Sequence, residues 1–362
     1  MKICIIGAGN AGCTHAFKFT EHGHEVRLVK TSHSMHDDYF EIIRRNHSIT
    51  AIDDTRGGLE SSQKIHMITR NMQEGINGSD VVFVMTQSLQ HDYLSPIVAP
   101  YLSDGQMLLI IPGNCGSLIF ARHITAKVLI GEGESTPFDA RIETDNKVHI
   151  LFKNVRNALS FLPASDTDRG LKMSGLILDT YGYSRKNVIE SGLHNPNMVV
   201  HTIGSIMSAA RIEQMKGEFW MYRESFSPAI WNMVHRLDNE KNGVIECFGG
   251  NSLSYLDACK FRNEKDLTKD SLSVFRAYAE KGGPKGPGSL NTRFIYEDVP
   301  NGLCLLSSLG KKCGIETPVC NALITLANAL MNVDYWKLSR SIEKLGLVDM
   351  SITEIKNFIG MV

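Results

Sequence analysis

The sequence predicts an α/β protein in which an N-terminal Rossmann-type, doubly wound sheet is followed by a C-terminal all-α domain. Three observations indicate this fold class. Strands alternate with helices in the first half, a glycine-rich turn joins the first strand to the first helix, and helical patterns dominate the second half. A length of 362 residues predicts about two domains. We place them at 1–188 and 189–362.

Composition excludes several classes of protein. The net charge is −1, so no global field attracts nucleic acid or an anionic membrane. No apolar run reaches membrane-spanning length. The first strand starts at residue 2, so we expect no signal peptide. The eight cysteines include no Cys-x-x-Cys pair, which indicates reduced thiols and a cytoplasmic location. Histidines do not group with cysteines or carboxylates, so we predict no metal.

The first domain reads as buried strands separated by turns and helices. Predicted strands cover 2–6, 25–29, 81–85 and 107–111, and a helix covers 10–22. Residues 127–162 are richer in β-pattern and would extend or close the sheet. Within them, 141–144 and 147–152 flank Asp145-Asn146, which indicates a hairpin.

The second domain begins with an N-cap signal. Asn195 suits the cap and Pro196 the first helical position of a helix predicted to reach residue 215. The loop 281–288 holds four glycines and two prolines, so it cannot form regular structure. Further helices are predicted at 228–248, 266–279, 318–331, 335–345 and 353–358.

The glycine-rich turn predicts a dinucleotide site. Gly7, Gly9 and Gly12 form Gly-x-Gly-x-x-Gly between a strand and a helix, with Asn10 and Ala11 inside the motif. The first glycine permits a tight turn and the second lets the backbone approach a pyrophosphate. The third allows close packing of helix on sheet, and the helix N-terminus attracts the phosphate charge.

The end of the second predicted strand bears on the choice between NADP and NAD. Lys30, Thr31 and Ser32 stand where NAD enzymes commonly carry an acidic residue. A cation with two hydroxyls suits a 2′-phosphate, so we predict that NADP is preferred to NAD. The alternative is an exposed turn with an incidental lysine.

Two other strand ends carry polar residues. Thr86 follows one predicted strand, and Asn114 lies in the Pro-Gly-Asn turn after the next. Ligands of such sheets bind at carboxyl strand ends, so both are candidates for contacts with the ribose or nicotinamide. Each also fits an ordinary turn.

Two segments of the second domain combine groups suited to acid–base chemistry. Asn197 and His201 share one helical face, while Arg293 precedes Asp298 by five residues. A buried carboxylate can fix a histidine tautomer, and an arginine can hold a carboxylate bidentately. Taken alone, such a histidine is more often a core residue, and such charges are often surface salt bridges.

Together these segments resemble the octopine/nopaline (opine) dehydrogenase family. Asn195, Asn197 and His201 fit its Asn-x-Asn-x-x-x-His pattern, and the string Glu-Asp-Val-Pro-x-Gly-Leu is intact at 297–303. The family usually follows that histidine with proline, whereas this chain has Thr202.

The resemblance implies a two-domain NAD(P)H-dependent enzyme. It would join the amino group of an amino acid to a 2-oxo acid, such as pyruvate, and reduce the resulting imine. It implies proton transfer by His201, orientation of that ring by Asp298, and binding of the 2-oxo acid by Arg293. Asn197, Asn114 and Glu134 are weaker substrate-binding candidates.

Alternatives stay open at this point. Glu134 and Arg141 fit structural salt bridges equally well. A ketopantoate-reductase-type 2-oxo acid or hydroxy acid dehydrogenase shares the expected architecture, although such enzymes generally use a lysine. A non-catalytic NADP-binding sensor would not need the three catalytic groups together. The sequence does not identify the amino acid, and related folds suggest a homodimer.

Overall fold

The computed structural model describes residues 1–143, 147–281 and 283–361. The chain divides into two compact units, Met1–Ser184 and Arg185–Val362. The first unit is mixed α/β with a largely parallel sheet and the second is helical, which confirms the predicted fold class. The division falls close to the predicted boundary at residue 188. No helix within the described ranges is long and apolar enough to cross a membrane.

The first unit contains two sheets and the helices that cover them. Its strands are β1 (Lys2–Ile6), β2 (Glu25–Val29), β3 (Ser48–Asp53), β4 (Leu59–Lys64), β5 (Met67–Thr69), β6 (Val81–Val84), β7 (Met107–Ile110), β8 (Leu129–Gly133), β9 (Phe138–Ile142), β10 (Lys147–Lys153) and β11 (Leu159–Leu162). Its α-helices are α1 (Asn10–Glu21), α2 (Asp37–Asn46), α3 (Met72–Ile76), α4 (His91–Val98), α5 (Gly116–Ala121) and α6 (Thr167–Gly175).

The larger sheet sets the position of the candidate cofactor site. It has seven strands in the order β11-β8-β7-β6-β1-β2-β5. All neighbours are parallel except β11, which runs antiparallel to β8. The chain moves outward through β2 on one side of β1 and through β6 on the other. The crevice at the carboxyl ends of β1 and β6 is therefore the switch point at which such sheets bind ligands.

The central strands β1, β6 and β7 are almost entirely apolar because both faces of the sheet are covered. Ile3 and Ile5 of β1 pack into one core cluster, while Cys4 and Ile6 pack into another. Successive side chains of a strand point to opposite faces, so a buried parallel strand needs apolar residues at every position. Because of this requirement, β1, β6 and β7 appear in the sequence as continuous apolar runs and can be predicted from them.

The β-rich region at 127–162 contributes to both sheets. Strands β8 and β11 extend the seven-stranded sheet, whereas β9 and β10 join a four-stranded sheet in the order β4-β3-β10-β9. Strands β9 and β10 pair antiparallel, as expected for the predicted hairpin. Its Asp145-Asn146 turn lies outside the described residues.

The second unit is built from helices. They are α7 (Val188–Leu193), α8 (Asn197–Met207), α9 (Ala209–Met215), α10 (Met221–Glu224), α11 (Pro228–Cys247), α12 (Tyr255–Asn263), α13 (Ser271–Lys281), α14 (Arg293–Tyr296), α15 (Cys304–Cys313), α16 (Pro318–Met331), α17 (Tyr335–Leu338) and α18 (Ile352–Phe358). A π-helical segment, Val299–Leu303, runs directly into α15.

Three predicted helices have wrong bounds. The helix predicted at 195–215 is two helices, because Ser208 leaves helical geometry with φ −113° and ψ 18°. The helix predicted from residue 266 starts at Ser271, because Asp266 closes a turn by accepting hydrogen bonds from the backbone and hydroxyl of Thr268. The helix predicted at 335–345 ends at Leu338, since Ser339 is extended with ψ 149°.

One pair of cysteines forms a disulfide, although the sequence predicted reduced thiols. Cys247 and Cys313, the last residues of α11 and α15, are joined by a disulfide. The expectation that all thiols are reduced is therefore wrong for this pair. The other six cysteines are free and buried, as is usual for free cysteine in a protein core.

Candidate active site

The turn between β1 and α1 has the geometry of a phosphate cradle. Gly7 has φ +115°, and a Cβ atom there would lie 2.4 Å from the carbonyl oxygen of Met85. A Cβ atom at Gly12 would lie 1.7 Å from the carbonyl oxygen of Gly7. A Cβ atom at Gly9 would have no neighbour within 4 Å, so this glycine faces open space. Two glycines thus serve close packing, and the third leaves room for a ligand at the N-terminus of α1.

Thr86 supports the same crevice from the end of β6. Its methyl group would lie 3.1 Å from a Cβ atom at Gly7, so the two residues are in contact across the switch point. Its hydroxyl is buried and has no hydrogen-bond partner among the described residues. A buried hydroxyl normally has a partner, so this group suits contact with a bound polar ligand.

Asn10 and Ala11 have different positions in the motif. The side-chain oxygen of Asn10 accepts a hydrogen bond of 2.8 Å from the backbone N–H of Ile142. This bond ties the start of α1 to β9. Ala11 is half-buried in the first turn, and its carbonyl oxygen lies 2.7 Å from Nδ1 of His15. Asn10 therefore fixes the helix start, and both residues border the cradle through their backbone.

Lys30 does not extend from the protein surface. Only 6% of the residue is exposed. Its ammonium group donates to the carbonyl oxygen of Ser32 at 2.7 Å, to the hydroxyl of Ser32 at 3.1 Å and to the carbonyl oxygen of Ser34 at 3.0 Å. The lysine thus folds the loop after β2 back on itself. Thr31 and Ser32 are exposed, so their hydroxyls are accessible to a ligand.

Arg70 supports the same loop and gave no signal in the sequence. Its guanidinium donates to the Ser32 carbonyl oxygen at 2.9 Å, to Asp37 at 2.8 Å and to Glu41 at 2.6 Å. The pKa of Asp37 is lowered to about 2, and the hydrogen bond from Arg70 is the largest cause. Both carboxylates are therefore ionised at neutral pH, and they offset the charges of Arg70 and Lys30.

Asn114 and Glu134 lie at the same edge of the sheet. They follow the ends of β7 and β8, which are adjacent parallel strands. The turns that carry them are joined by a 3.0 Å hydrogen bond from the N–H of Gly113 to the carbonyl oxygen of Gly133. Both side chains are buried, and Asn114 has a left-handed backbone with φ 49°. Asn114 and Glu134 therefore lie close together at the carboxyl ends of the parallel strands.

Glu132 is a structural residue of this edge that sequence reasoning missed. Its carboxylate accepts hydrogen bonds from the backbone N–H groups of Cys115 and Ser117 at 2.9 and 3.0 Å, and from the hydroxyl of Ser117 at 2.6 Å. A carboxylate at a helix N-terminus satisfies free N–H donors and the helix dipole. Glu132 thereby fixes the turn that carries Asn114. The sequence feature that could have identified Glu132 is an isolated glutamate within an otherwise uncharged strand.

In the second unit, His201 and Asp298 form a buried pair. Nδ1 of His201 lies 2.7 Å from Oδ2 of Asp298, and both residues are at most 3% exposed. His201 lies in the middle of α8, whereas Asp298 immediately precedes the π-helical segment. When Asp298 is ionised its carboxylate can only accept, so this hydrogen bond then requires the proton on Nδ1. In the neutral ring, Nε2 then carries the lone pair that can accept a proton.

Tyr222 and Phe294 complete the surroundings of the imidazole. The Tyr222 hydroxyl lies 2.9 Å from Nε2 of His201, where it can donate to the lone pair. The ring of Phe294 stacks on the imidazole with centroids 3.6 Å apart and planes at 13°. The histidine is thus held at both nitrogens and on one face. Neither residue was found from the sequence, since a lone aromatic residue in a helical domain normally belongs to the core.

The segment that carries Arg293, Asp298 and Gly302 is helical. Arg293 begins the short helix α14, and the π-helical segment follows Asp298. A Cβ atom at Gly302 would lie 2.9 Å from the side chain of Met198 on α8. Glycine therefore lets this segment approach α8 closely enough for Asp298 to contact His201. Single-turn π-segments are frequent at functional sites.

Arg293 is the accessible cation of this site. Its side chain is 45% exposed, and Nη1 lies 4.0 Å from Oε2 of Glu297, at the outer limit of an ion pair. The guanidinium is 5.8 Å from the ring centroid of Phe294, the residue that stacks on His201. Arg293 and the imidazole of His201 therefore both lie next to the ring of Phe294.

Burial governs the protonation of Asp298. It raises the pKa of this carboxyl to about 7, against the opposing effect of the Arg293 charge. Raised carboxyl pKa values occur at sites of proton transfer, although structural groups show them also. The pair therefore changes its proton content near neutral pH.

Asn195 and Asn197 shape the start of α8. The side-chain oxygen of Asn195 accepts a 3.0 Å hydrogen bond from the N–H of Asn197, as a capping residue does. Asn197 is half-buried and lies one helical turn before His201. The candidate residues thus form two sets, one at the sheet edge of the first unit and one around His201 in the second.

The chain is similar in sequence to known opine dehydrogenases. Residues 184–331 match the family model described as NAD/NADP octopine/nopaline dehydrogenase, alpha-helical domain. The chain is 28% identical over 314 residues to the opine dehydrogenase of Arthrobacter sp. (strain 1C), covering 83% of this chain and 85% of that protein. It is 21% identical over 371 residues to the octopine dehydrogenase of Pecten maximus, with 92% and 91% coverage.

Solved structures show the same fold. An octopine dehydrogenase structure with NADH and L-arginine aligns with a TM-score of 0.77 at 18% identity, covering 99% of this chain and 98% of that one. Yersinopine dehydrogenase with bound NADP⁺ aligns at 0.70 and 10% identity, with 99% and 97% coverage. A PanE/ApbA family ketopantoate reductase from Ralstonia eutropha JMP134 aligns at 0.62 and 15% identity, with 92% and 99% coverage.

Proposed function

We propose that this chain is an NAD(P)-dependent oxidoreductase acting on CH–NH donors, of the octopine/nopaline dehydrogenase family, and that His201, Asp298 and Arg293 carry its reaction. That reaction is the reductive condensation of an amino acid with a 2-oxo acid through an imine. The observation that supports these roles is the buried His201–Asp298 hydrogen bond of 2.7 Å beside an accessible arginine.

The first unit fits a nicotinamide dinucleotide. Gly7, Gly9 and Gly12 leave an open cradle at the N-terminus of α1, and the buried Thr86 hydroxyl has no partner among the described residues. The bound cofactor supplies hydride to the carbon of the imine. We assign the pyrophosphate to the glycine-rich turn, with Asn10 and Ala11 at its border and Thr86 beside it. Asn114 and Glu134 are proposed to contact the nicotinamide or the substrate at the same sheet edge.

The second unit supplies the acid–base chemistry. We assign the 2-oxo acid carboxylate to Arg293, whose planar guanidinium can bind it bidentately. Protonated His201 donates from Nε2 to the oxygen that leaves as water when the amine condenses with the carbonyl. Asp298 stays hydrogen-bonded to Nδ1, keeps the ring in place and stabilises the imidazolium. Tyr222 holds Nε2 until substrate replaces it, and Asn197 borders the site from the same helical face.

The choice between NADP and NAD stays a prediction. Lys30 folds its own loop and is buried, so we no longer assign it a direct contact with a 2′-phosphate. We propose that the hydroxyls of Thr31 and Ser32 make that contact on a loop that Lys30 holds in shape. A homodimer and a cytoplasmic location are further parts of the proposal. The location rests on the free cysteines, and the Cys247–Cys313 disulfide weighs against it.

The proposed function is tested by cofactor oxidation with defined substrates. NADPH and NADH are each followed with pyruvate alone and then with pyruvate plus single amino acids. Oxidation that requires both substrates supports reductive condensation, and the ratio of the two cofactor rates tests the preference for NADP. Oxidation with pyruvate alone would instead indicate a 2-oxo acid dehydrogenase, and binding without oxidation in any mixture would indicate a sensor.

Replacing Arg293 by lysine is expected to weaken 2-oxo acid binding. Lysine keeps the charge but cannot form two parallel hydrogen bonds to a carboxylate. Charge-assisted hydrogen bonds of this kind correspond to about ten- to a hundredfold in affinity. We therefore expect the KM for pyruvate to rise by roughly that factor, with a smaller change in the KM for the amino acid. Arg236→Lys, at an exposed position of α11, is the control, and an unchanged KM for pyruvate in Arg293→Lys would refute the assignment.

The oxidative direction should lose activity on the acid side of neutrality. In that direction His201 must accept a proton while Asp298 is an ionised acceptor for Nδ1–H. Burial raises the pKa of Asp298 to about 7, so protonation of the pair increases as the pH falls through this value. We expect kcat/KM for oxidation of the condensation product to fall about tenfold per pH unit below pH 7. A profile that is flat between pH 5 and 8 would contradict this role.

A further inference from the structure

The second unit contains a pocket of about 600 Å³, and of its lining residues only Tyr222 has a role in the mechanism above. It lies between α10, the start of α11 and α13, and its floor is aromatic. The rings of Phe226, Trp231 and Phe275 pack against one another with centroids 4.9 to 5.5 Å apart. Ala279, one helical turn after Phe275 on α13, is buried and leaves the space above the rings open. The floor is therefore preformed and apolar.

The rim of the pocket is charged and mostly positive. Arg223, Arg276 and Glu280 line it, and all three are exposed. Within the described part of the chain, neither arginine makes an ion pair within 4.0 Å; Arg223 lies over the ring of Trp220 at 5.2 Å. Two exposed guanidinium groups above an aromatic floor suit a ligand with an apolar body and a carboxylate.

Tyr222 connects this pocket to the proton-transfer site. Its side chain lines the pocket, and its hydroxyl lies 2.9 Å from Nε2 of His201. A molecule in the pocket is thus separated from the imidazole by one side chain. Tyr222 is 8% exposed, so its hydroxyl is positioned by the surrounding protein.

We propose that this pocket binds the amino substrate, which is an amino acid with a bulky apolar side chain. The proposal rests on the function proposed above. The rings of Phe226, Trp231 and Phe275 receive the side chain, and Arg223 and Arg276 receive the α-carboxylate. A pocket of this volume is in the range that holds small-molecule ligands. The floor offers no charged partner to a cationic or anionic side chain, so it disfavours those amino acids.

Two substitutions in the full-length protein test this assignment. Rates of NAD(P)H oxidation are measured at saturating pyruvate with alanine, leucine, phenylalanine, lysine and glutamate. Ala279→Leu narrows the space above the rings. Arg276→Gln removes a positive charge from the rim at an exposed position, so it should not disturb the core. It therefore tests the assignment even if Ala279→Leu does not fold. Arg236→Gln, at an exposed position of α11, is the matched control.

The expected results differ between the two variants. The unmodified protein should have higher kcat/KM for leucine and phenylalanine than for the other three amino acids. Ala279→Leu should lower kcat/KM for these two by about tenfold or more, the scale on which pocket size discriminates side chains. Its kcat/KM for alanine should change less than about threefold. Arg276→Gln should raise the KM for every amino acid without changing the KM for pyruvate.

Three outcomes would overturn the pocket assignment. One is a preference of the unmodified protein for charged amino acids or for alanine. Another is unchanged amino acid selectivity in Ala279→Leu together with an unchanged KM in Arg276→Gln. In both of these cases the proposed function survives, because oxidation still requires an amino acid. Oxidation that proceeds with pyruvate alone would overturn the proposed function and the pocket assignment together.

Discussion

His201→Ala should reduce turnover by about 10²- to 10⁴-fold, the usual contribution of a positioned acid–base group. The imidazole is the group that can deliver a proton from Nε2, since Nδ1 is engaged by Asp298 at 2.7 Å. Alanine leaves the 2-oxo acid site at Arg293 in place, so the loss should appear in kcat more than in the KM for pyruvate. Steady-state rates in both reaction directions measure this effect.

Cofactor affinity separates a chemical role of His201 from a structural one. The candidate cofactor residues all belong to the first unit, whereas His201 is buried in α8 of the second. NADPH and NADH binding, followed by fluorescence, should therefore stay within about twofold of the unmodified protein. His201→Gln fills the cavity with a neutral amide and should be as inactive as the alanine variant. His235→Ala, at an exposed position of α11, should keep full activity. Undiminished turnover in His201→Ala would remove this residue from the mechanism.

The fold of the first unit was predictable because its signals are local. Gly7 and Gly12 are required by backbone contacts within and beside one turn. The strands β1, β6 and β7 are buried on both faces and therefore read as apolar runs. The helix bounds were less predictable where a polar side chain closes a turn, as Asp266 does. The disulfide between Cys247 and Cys313 depends on two helix ends that are far apart in sequence.

The candidate site was predictable only where a motif carried it. The contact between His201 and Asp298 joins residues 97 positions apart, and no periodicity relates them. The family resemblance suggested the pair, and the close approach at Gly302 explains it. Tyr222 had no such support, because its role depends on where a four-residue helix places one hydroxyl. Lys30 was assigned to a ligand from charge alone, but its ammonium is bound by carbonyl oxygens of its own loop.

Asp298→Asn is the substitution that should most clearly separate orientation from proton transfer. It keeps the size of the side chain but replaces a carboxylate acceptor by an amide that can donate. An amide N–H directed at Nδ1 of His201 favours the tautomer with the proton on Nε2. That ring cannot accept a proton at Nε2, and a protonated ring loses the carboxylate that stabilises it. We expect kcat to fall by about 10²- to 10⁴-fold, while the KM for pyruvate changes little.

The pH dependence of this variant distinguishes the two roles. Burial raises the pKa of Asp298 to about 7, and asparagine does not titrate. The acid limb of the oxidative profile near pH 7 should therefore disappear in Asp298→Asn, because the residue that takes up the proton is absent. Asp349→Asn, at an exposed position of the same unit, should retain both rate and profile. If Asp298→Asn kept the acid limb with its midpoint near 7, another group would be responsible for it, and Asp298 would serve only to hold the ring.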